Sequence, residues 1–431
     1  MRAFYTDHFV LPLPPGHRFP MRKYSALRER VLTEVPGLAM HEAPRADDQA
    51  LLLAHAPDYV QAVSAGLLDP ARQREIGFPW SPEMVERSRR SAGATMAACE
   101  AAMTDGVAVN LAGGTHHAYA DKGAGFCVFN DAAIASRWMQ RQPGRAPAEF
   151  PVAIVDLDVH QGNGTASILR DDASVFTLSV HGEKNYPFRK EASDLDVGLH
   201  DGCGDHDYLE ALTGALDILA GRFKPSLIIY LAGADPHEGD RLGRLKLTMA
   251  GLAARDQQVF DFAYQRRIPI AVTMAGGYAN NIDDTVAVHA QTIALAARHV
   301  GAIAAIEALY ARCALADRGA HAVHRGVAAA DHDDMLALGI ERAAIERRHR
   351  IAEALAVRCD QIVERRNDSE QRGPAHARAP AFPPDTAPRS SARAFACARD
   401  RYRALDARAG ARAPSSPLRE SGRASDPARR A

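Results

Sequence analysis

Short apolar runs alternate with longer stretches of helical periodicity over residues 1–312. The runs at 107–111 (VAVNL), 152–156 (VAIVD), 175–180 (VFTLSV), 227–231 (LIIYL) and 268–274 (IPIAVTM) predict strands. They are short and almost wholly apolar rather than alternating, and they end in Gly, His or Asp. Strands covered by helices on both faces read this way. Helical patterns separate them, at about 82–103, 132–140, 207–222, 248–265 and 283–300. The alternation predicts an α/β fold, a mostly parallel central sheet with helices on both faces. Ligands of such sheets bind beyond the carboxyl ends of the strands, so the residues that follow each run are the candidates for chemistry.

PVAIV is followed by DLDVHQGNG, which places Asp156, Asp158 and His160 two residues apart. Residues at that spacing share a face while the chain stays extended. Two carboxylates and an imidazole packed together call for a cation; otherwise they are solvated acids at a strand end. SLIIYLAGA is followed by Asp235, a candidate third ligand, with Glu238 and Asp240 as competitors nearby. Three protein ligands with one position open are the pattern of catalytic zinc, and the oxygen-rich set also admits Fe2+ or Co2+. VAVNL is followed by AGGTHHA. His116 and His117 there could serve as general acid and base, or as further metal ligands. IPIAVTM is followed by AGGY, where Tyr278 could donate to a developing oxyanion or simply pack.

Composition changes this picture mainly at the C-terminal end. Apolar residues make up 47% and charged residues 24%, as in ordinary globular proteins. The net charge of −1 conceals a split: residues 1–312 hold 30 basic and 37 acidic residues, residues 313–431 hold 22 and 16, with no lysine. A boundary is therefore expected between a catalytic domain, 1–312, and an Arg/Ala/Pro-rich tail, 313–431. Within the tail, Leu338, Ile345, Ala352 and Cys359 at seven-residue spacing predict a helix over 333–363. The remainder has the composition of a disordered segment. The tail has few aromatics and diluted charge, and no nucleic-acid partner is expected. Six cysteines lack CxxC spacing, no N-terminal apolar segment reads as a signal, and no run reaches the ~20 apolar residues of a membrane span. A soluble, cytoplasmic protein without a membrane partner is expected.

Taken in order, these motifs resemble those of the histone deacetylase family, whose fold is the arginase/deacetylase type. The likeness covers about residues 1–305. It runs through LPPGHRFPMRKY, HAPDYV, GFPWSPEMVERS, NLAGGTHHAYADKGAGFCVFND, DLDVHQGNG, LSVHGEKNYPF, LAGADPHEGDRLG and MAGGY. The HQGNG and GADPHEGDRLG variants are most similar to the class IV branch and to bacterial deacetylase-like amidohydrolases. The resemblance implies a zinc-dependent amidohydrolase that removes acetyl or longer fatty acyl groups from lysine ε-amines by metal-activated water. The alternative within the same fold is an acetylpolyamine amidohydrolase, acting on an acylated small amine.

It also implies roles. Asp158, His160 and Asp235 match the zinc ligands, and His117 the general base and acid. His116 matches its electrostatic partner, paired with Asp156. Tyr278 matches the residue that polarises the carbonyl. A structural K+ would be held by Asp156, Asp158, His160, Ser179 and Val180. Phe126, Tyr186, Gly125 and Gly277 would line the substrate tunnel. Asn163 departs from the class I pattern, in which a second Asp stands. An amide orients His117 without a full charge and should raise its pKa less.

Overall fold

The apolar runs become strands because both of their faces are covered. In the computed structural model, which describes residues 1–318 and side chains through residue 300, eight strands form one sheet. They are β1 (Arg2–Tyr5), β2 (Ala39–Glu42), β3 (Val107–Asn110), β4 (Val152–Asp156), β5 (Val175–Gly182), β6 (Leu195–Leu199), β7 (Leu227–Leu231) and β8 (Ile270–Thr273). Their order is β2-β1-β3-β8-β7-β4-β5-β6, and every neighbouring pair is parallel. The expected parallel α/β sheet is therefore present, with three strands, β1, β2 and β6, beyond the five expected.

Ten helices connect the strands: α1 (Lys23–Glu34), α2 (Asp48–Leu51), α3 (Pro57–Ala65), α4 (Pro70–Ile76), α5 (Pro82–Asp105), α6 (Asp131–Gln140), α7 (Asn163–Leu169), α8 (Asp205–Arg222), α9 (Met249–Gln265) and α10 (Ile282–Arg318). Along β7, Leu227, Ile229 and Leu231 enter one hydrophobic core, while Ile228 and Tyr230 enter the other. β4 divides in the same way, Val152 and Ile154 against Ala153 and Val155. The period-two geometry of a strand thus feeds two layers of helices. One layer is built from α5 and α6, with Met84, Ile134 and Met139; the other from α1, α8, α9 and α10, with Leu27, Leu212, Phe260 and Ile293.

Local signals start and stop the helices. Ser81 caps α5 by accepting from Met84 N, Pro82 opens its first turn, and Gly106 ends it with a left-handed φ of 76°. α10 runs through Arg318, across the composition change at 313. The helix expected at 333–363 and the rest of the tail lie outside the described residues. Among the described residues, no helix is long and apolar enough to cross a membrane.

For function, the strand order matters most. β3, β8, β7 and β4 are consecutive at the centre of the sheet. The segments carrying His116 and His117, Tyr278, Asp235, and Asp158 with His160 follow these four strands, so all emerge on one edge.

Candidate active site

A cavity of about 840 Å3 opens over that edge. Its floor holds His116, His117, Asp158, His160, Gly276 and Tyr278, all at or near burial except the half-buried Gly276. Its walls include Phe126, Tyr186, Gly125 and Phe19, and its mouth carries the exposed residues Arg18, Arg74, Glu75, Lys184, Phe188 and Arg244.

β4 ends at Asp156, so Asp158 and His160 do not continue an extended face as expected. They lie in tight turns in which each carboxylate accepts from the backbone two residues on. Asp156 Oδ1 accepts from Asp158 N (3.1 Å), and Asp158 Oδ1 accepts from His160 N (2.9 Å). The turns divide the expected trio. Asp156 faces His116, while Asp158 and His160 meet Asp235, with one donor atom from each of the three within 4.8 Å of the others. His160 Nδ1 lies 3.0 Å from Asp158 Oδ1 and 3.2 Å from Asp235 Oδ2. The competing acids are occupied elsewhere. Glu238 is exposed, and Asp240 accepts from Leu242 N, Gly243 N and Tyr278 N.

The residues present fit a divalent ion. Asp235 Oδ1 accepts from Val159 N (2.9 Å), but Asp235 Oδ2 is buried without a well-directed hydrogen bond. A buried carboxylate oxygen in that state needs a positive partner. Burial lowers the proton affinity of His160, yet Asp158 and Asp235 outweigh it and raise its pKa to about 10. Burial and the Asp158 charge raise that of Asp235 to about 7. The cluster therefore attracts positive charge, and three oxygen and nitrogen ligands match the number that a catalytic zinc site takes from its protein. Gly276 closes the cluster: a Cβ there would lie 1.9 Å from Asp235 Oδ2 and 2.6 Å from Asp158 Oδ2, and its N–H donates to Asp158 Oδ2 at 2.7 Å. A second group, His200, Cys203 and Asp207, is open to solvent at two of its three members. Burial and Asp207 raise the Cys203 thiol to about 11, so it is protonated in the metal-free protein.

The histidine pair owes its position to buried polar residues that sequence reading passed over. Gly113 and Gly114 both take left-handed φ, 86° and 65°. Asp131, at the start of α6, accepts from Gly114 N (3.0 Å) and Thr115 N (2.7 Å). Asn130 caps α6 through Ala133 N and donates to the carbonyl of Ala118 (3.1 Å). The signal was available: GFCVFND ends an apolar stretch with two polar residues where a core would not otherwise place them.

His116 Nδ1–H donates to Asp156 Oδ2 at 2.7 Å, and His117 Nδ1–H donates to Asn163 Oδ1 at 2.6 Å. Burial would lower both pKa values. At His116 the Asp156 and Asp158 charges overturn that and raise it to about 9. At His117 burial is reinforced by the neighbouring His116 and His160, and the pKa falls well below the ordinary 6.5. The hydrogen bond to Asn163 and the Asp158 charge oppose this drop without reversing it.

Tyr278 is held by its backbone, with N donating to Asp240 Oδ2 (2.6 Å) and O accepting from Arg241 Nε (2.9 Å). Burial raises its phenol well above 10, so it stays a donor. Lys23, another residue missed in sequence, is buried with Nζ 3.5 Å from the carbonyls of both Ala275 and Gly277. Phe126 sits among His17, Phe19 and Phe78, at ring-centroid distances of 5.9, 5.3 and 5.3 Å. Tyr186 stands edge-on to His117 at 4.8 Å. Gly277 does not line the cavity; its neighbours Gly276 and Tyr278 do. Ser179 and Val180 lie on β5, where Ser179 pairs with Asp156 in register and its hydroxyl meets His181 Nδ1 at 2.9 Å.

The histone deacetylase domain matches residues 17–294. An uncharacterized protein of Picosynechococcus is 45% identical over 289 residues, covering 66% of this chain and 94% of that protein. Histone deacetylase 2 of Arabidopsis thaliana is 34% identical over 240 residues, 53% of this chain and 60% of that one. Among solved structures, a deacetylase homolog from Aquifex aeolicus superposes with a TM-score of 0.59. It is 22% identical, covers 68% of this chain and 83% of its own, and shows the shared fold.

Proposed function

This chain belongs to the histone deacetylase family of hydrolases, and on that premise we propose that it is a zinc-dependent amidohydrolase acting on acylated lysine ε-amines. The observation that carries the reading is the cavity floor. Asp158 and His160 line it and converge with the buried Asp235, which has an orphaned oxygen, beside two histidines whose proton affinities are pushed apart. Opposed shifts in adjacent groups are the mark of an acid–base assignment.

Asp158, His160 and Asp235 would hold the ion, with Fe2+ or Co2+ as possible substitutes. When bound, it supplies Lewis acidity toward the amide carbonyl and acidifies water. His117 is neutral and holds its proton on Nδ1, which leaves Nε2 free to take a proton from the attacking water and pass it to the departing amine. His116, kept cationic by Asp156, supplies fixed positive charge beside the reaction. The Tyr278 hydroxyl donates to the oxyanion as it forms. Phe126, Gly125 and Tyr186 wall the slot through which the lysine stem passes. A K+ site at Asp156, Asp158, His160, Ser179 and Val180 belongs to the same proposal, supported by the register that sets Ser179 opposite Asp156.

The mouth favours lysine over polyamine. Arg18, Arg74 and Lys184 have no carboxylate within ion-pair distance among the described residues. The rim acid Glu75 lies 4.0 Å from Lys122. A polyamine's second ammonium would meet like charge there. Assaying acetyl- to octanoyl-lysine peptides and acetylpolyamines, with and without chelator, tests the proposal. Acyl-lysine turnover that is lost on chelation and restored by Zn2+ is expected. Chelator-insensitive turnover, or turnover of acylpolyamines alone, would overturn it.

A further inference from the structure

His117 can act as a base at Nε2 only in the tautomer that carries its proton on Nδ1. The partner of Nδ1 is the Asn163 amide, at 2.6 Å. A carboxylate in that position could only accept, and would select the required tautomer by itself. An amide has two ends. Turned the other way, its NH2 would donate to Nδ1, the imidazole proton would move to Nε2, and the base would be lost. The orientation of the amide therefore has to be set from elsewhere.

Asn163 Nδ2 donates to the Tyr119 hydroxyl at 2.9 Å, and that hydroxyl donates to Glu191 Oε1 at 3.3 Å. Glu191 forms an ion pair with Arg170. The Gln161 side chain fixes the backbone of Glu191 at both polar atoms: Gln161 Nε2 donates to Glu191 O (2.7 Å), and Glu191 N donates to Gln161 Oε1 (3.0 Å). A carboxylate only accepts, so Glu191 compels Tyr119 to donate outward. Tyr119 must then accept from Asn163 Nδ2, which turns Asn163 Oδ1 toward His117. With the amide reversed, Tyr119 would have to donate to Asn163, and its oxygen would face the Glu191 carboxylate with no proton between them. One hydrogen bond would become a repulsive contact.

We propose that Tyr119 and Glu191 are positioning residues that fix the tautomer of His117 through the orientation of the Asn163 amide. The inference rests on the reading of His117 as the general base. It gives both amide residues of HQGNG linked tasks, Asn163 at the near end of the chain and Gln161 at the far end.

The test uses the zinc-loaded full-length protein and 15N NMR of its histidines, whose shifts distinguish the two tautomers, alongside kcat and KM on one acyl-lysine peptide. Wild type should show His117 protonated at Nδ1. Tyr119→Phe and Glu191→Gln should admit the Nε2–H form and lower kcat by about ten-fold or more, within what a general base contributes, while KM and zinc content hold. In an Asn163→Asp background, Tyr119→Phe should change neither tautomer nor kcat, because a carboxylate needs no orienting. Wild-type tautomer and kcat in both single variants would refute the relay. So would an undiminished loss of kcat from Tyr119→Phe in the Asn163→Asp background, which would mark Tyr119 as structural. A tautomer shift in a protein with no acyl-lysine turnover would uphold the relay and reject the proposed function.

Discussion

His116 and His117 are adjacent in sequence and 4.1 Å apart between ring centroids, yet one is driven cationic and the other neutral. The sequence supplied the pair and the Gly-rich loop, but left acid–base work and metal ligation both open. The distinction lies in partners brought from β4 and α7, Asp156 and Asn163, which no local pattern around HH reveals. Tyr278 was legible as a strand-end phenol on a Gly-Gly turn, while its supports, Asp240 and Lys23, were not. Asp240 stood only as a competitor for the third metal ligand, and nothing in the sequence singled out Lys23. Because Asp240 and Arg241 grip the backbone of Tyr278, Tyr278→Phe should leave loop, zinc content and melting temperature unchanged. It should lower kcat by ~10²–10³, the usual cost of one oxyanion donor. A kcat equal to wild type would reduce Tyr278 to a packing residue.

The five strands foreseen in sequence are β3, β4, β5, β7 and β8, each buried along its whole length. The strands that escaped notice lie at or next to the sheet's edges. β2 reads AMHE with three exposed positions of four, and β6 reads LDVGL with only Val197 and Leu199 buried. An edge strand needs an apolar residue only where it faces the core, so a search for apolar runs finds the centre of a sheet and misses its margins. The short helices α2, α3 and α4 span too few turns to display a helical period, and α3 and α4 each open on a proline. Between α2 and α3, His55 joins these elements to the loop of the candidate active site. Its Nδ1 lies 2.9 Å from Tyr119 O, and its Nε2 accepts from Asn130 N at 2.9 Å. Burial, only partly opposed by the backbone bond to Tyr119, lowers its pKa from 6.5 to about 4. The folded value lies below the unfolded one, so the stability this neutral imidazole contributes is complete above pH 6.5 and is lost as pH falls toward 4. Its share is about 3 kcal/mol by the conversion of about 1.36 kcal/mol per unit. Denaturant titrations at pH 7 and pH 4 should show wild type losing more stability than His55→Gln, which is uncharged at both. Parallel losses would assign acid sensitivity to other groups.

At the scale of the molecule, the mouth and the domain carry opposite signs. Residues 1–312 are net −7, whereas the rim presents Arg18, Arg74 and Lys184 without acidic partners among the described residues. Local cations at the entrance of a cleft attract oppositely charged substrates and are screened by salt. An acyl-lysine peptide flanked by Asp and Glu should exceed its Lys- and Arg-flanked counterpart in kcat/KM by about ten-fold at low salt, given up to ~1 kcal/mol for each exposed pair. The gap should narrow toward about 1 M salt, where the screening length is about 3 Å. A preference for basic flanks would exclude the rim as a specificity element. The sheet order also governs when during synthesis the enzyme can first exist. β8 is the last strand among the described residues, and it is the one that joins β3 to β7. Without it, the other strands fall into two sets, β2-β1-β3 and β7-β4-β5-β6, with no pairing between them. The histidine loop follows one, the candidate metal ligands follow the other, and each half-sheet has an open edge able to pair with a neighbouring chain. A polypeptide truncated before Ile270 is therefore expected to lack activity and to aggregate, which turnover and sedimentation of the fragment would check. Insertion of one four-residue strand closes the sheet, and the segment that follows it brings Gly276 and Tyr278 to the candidate site.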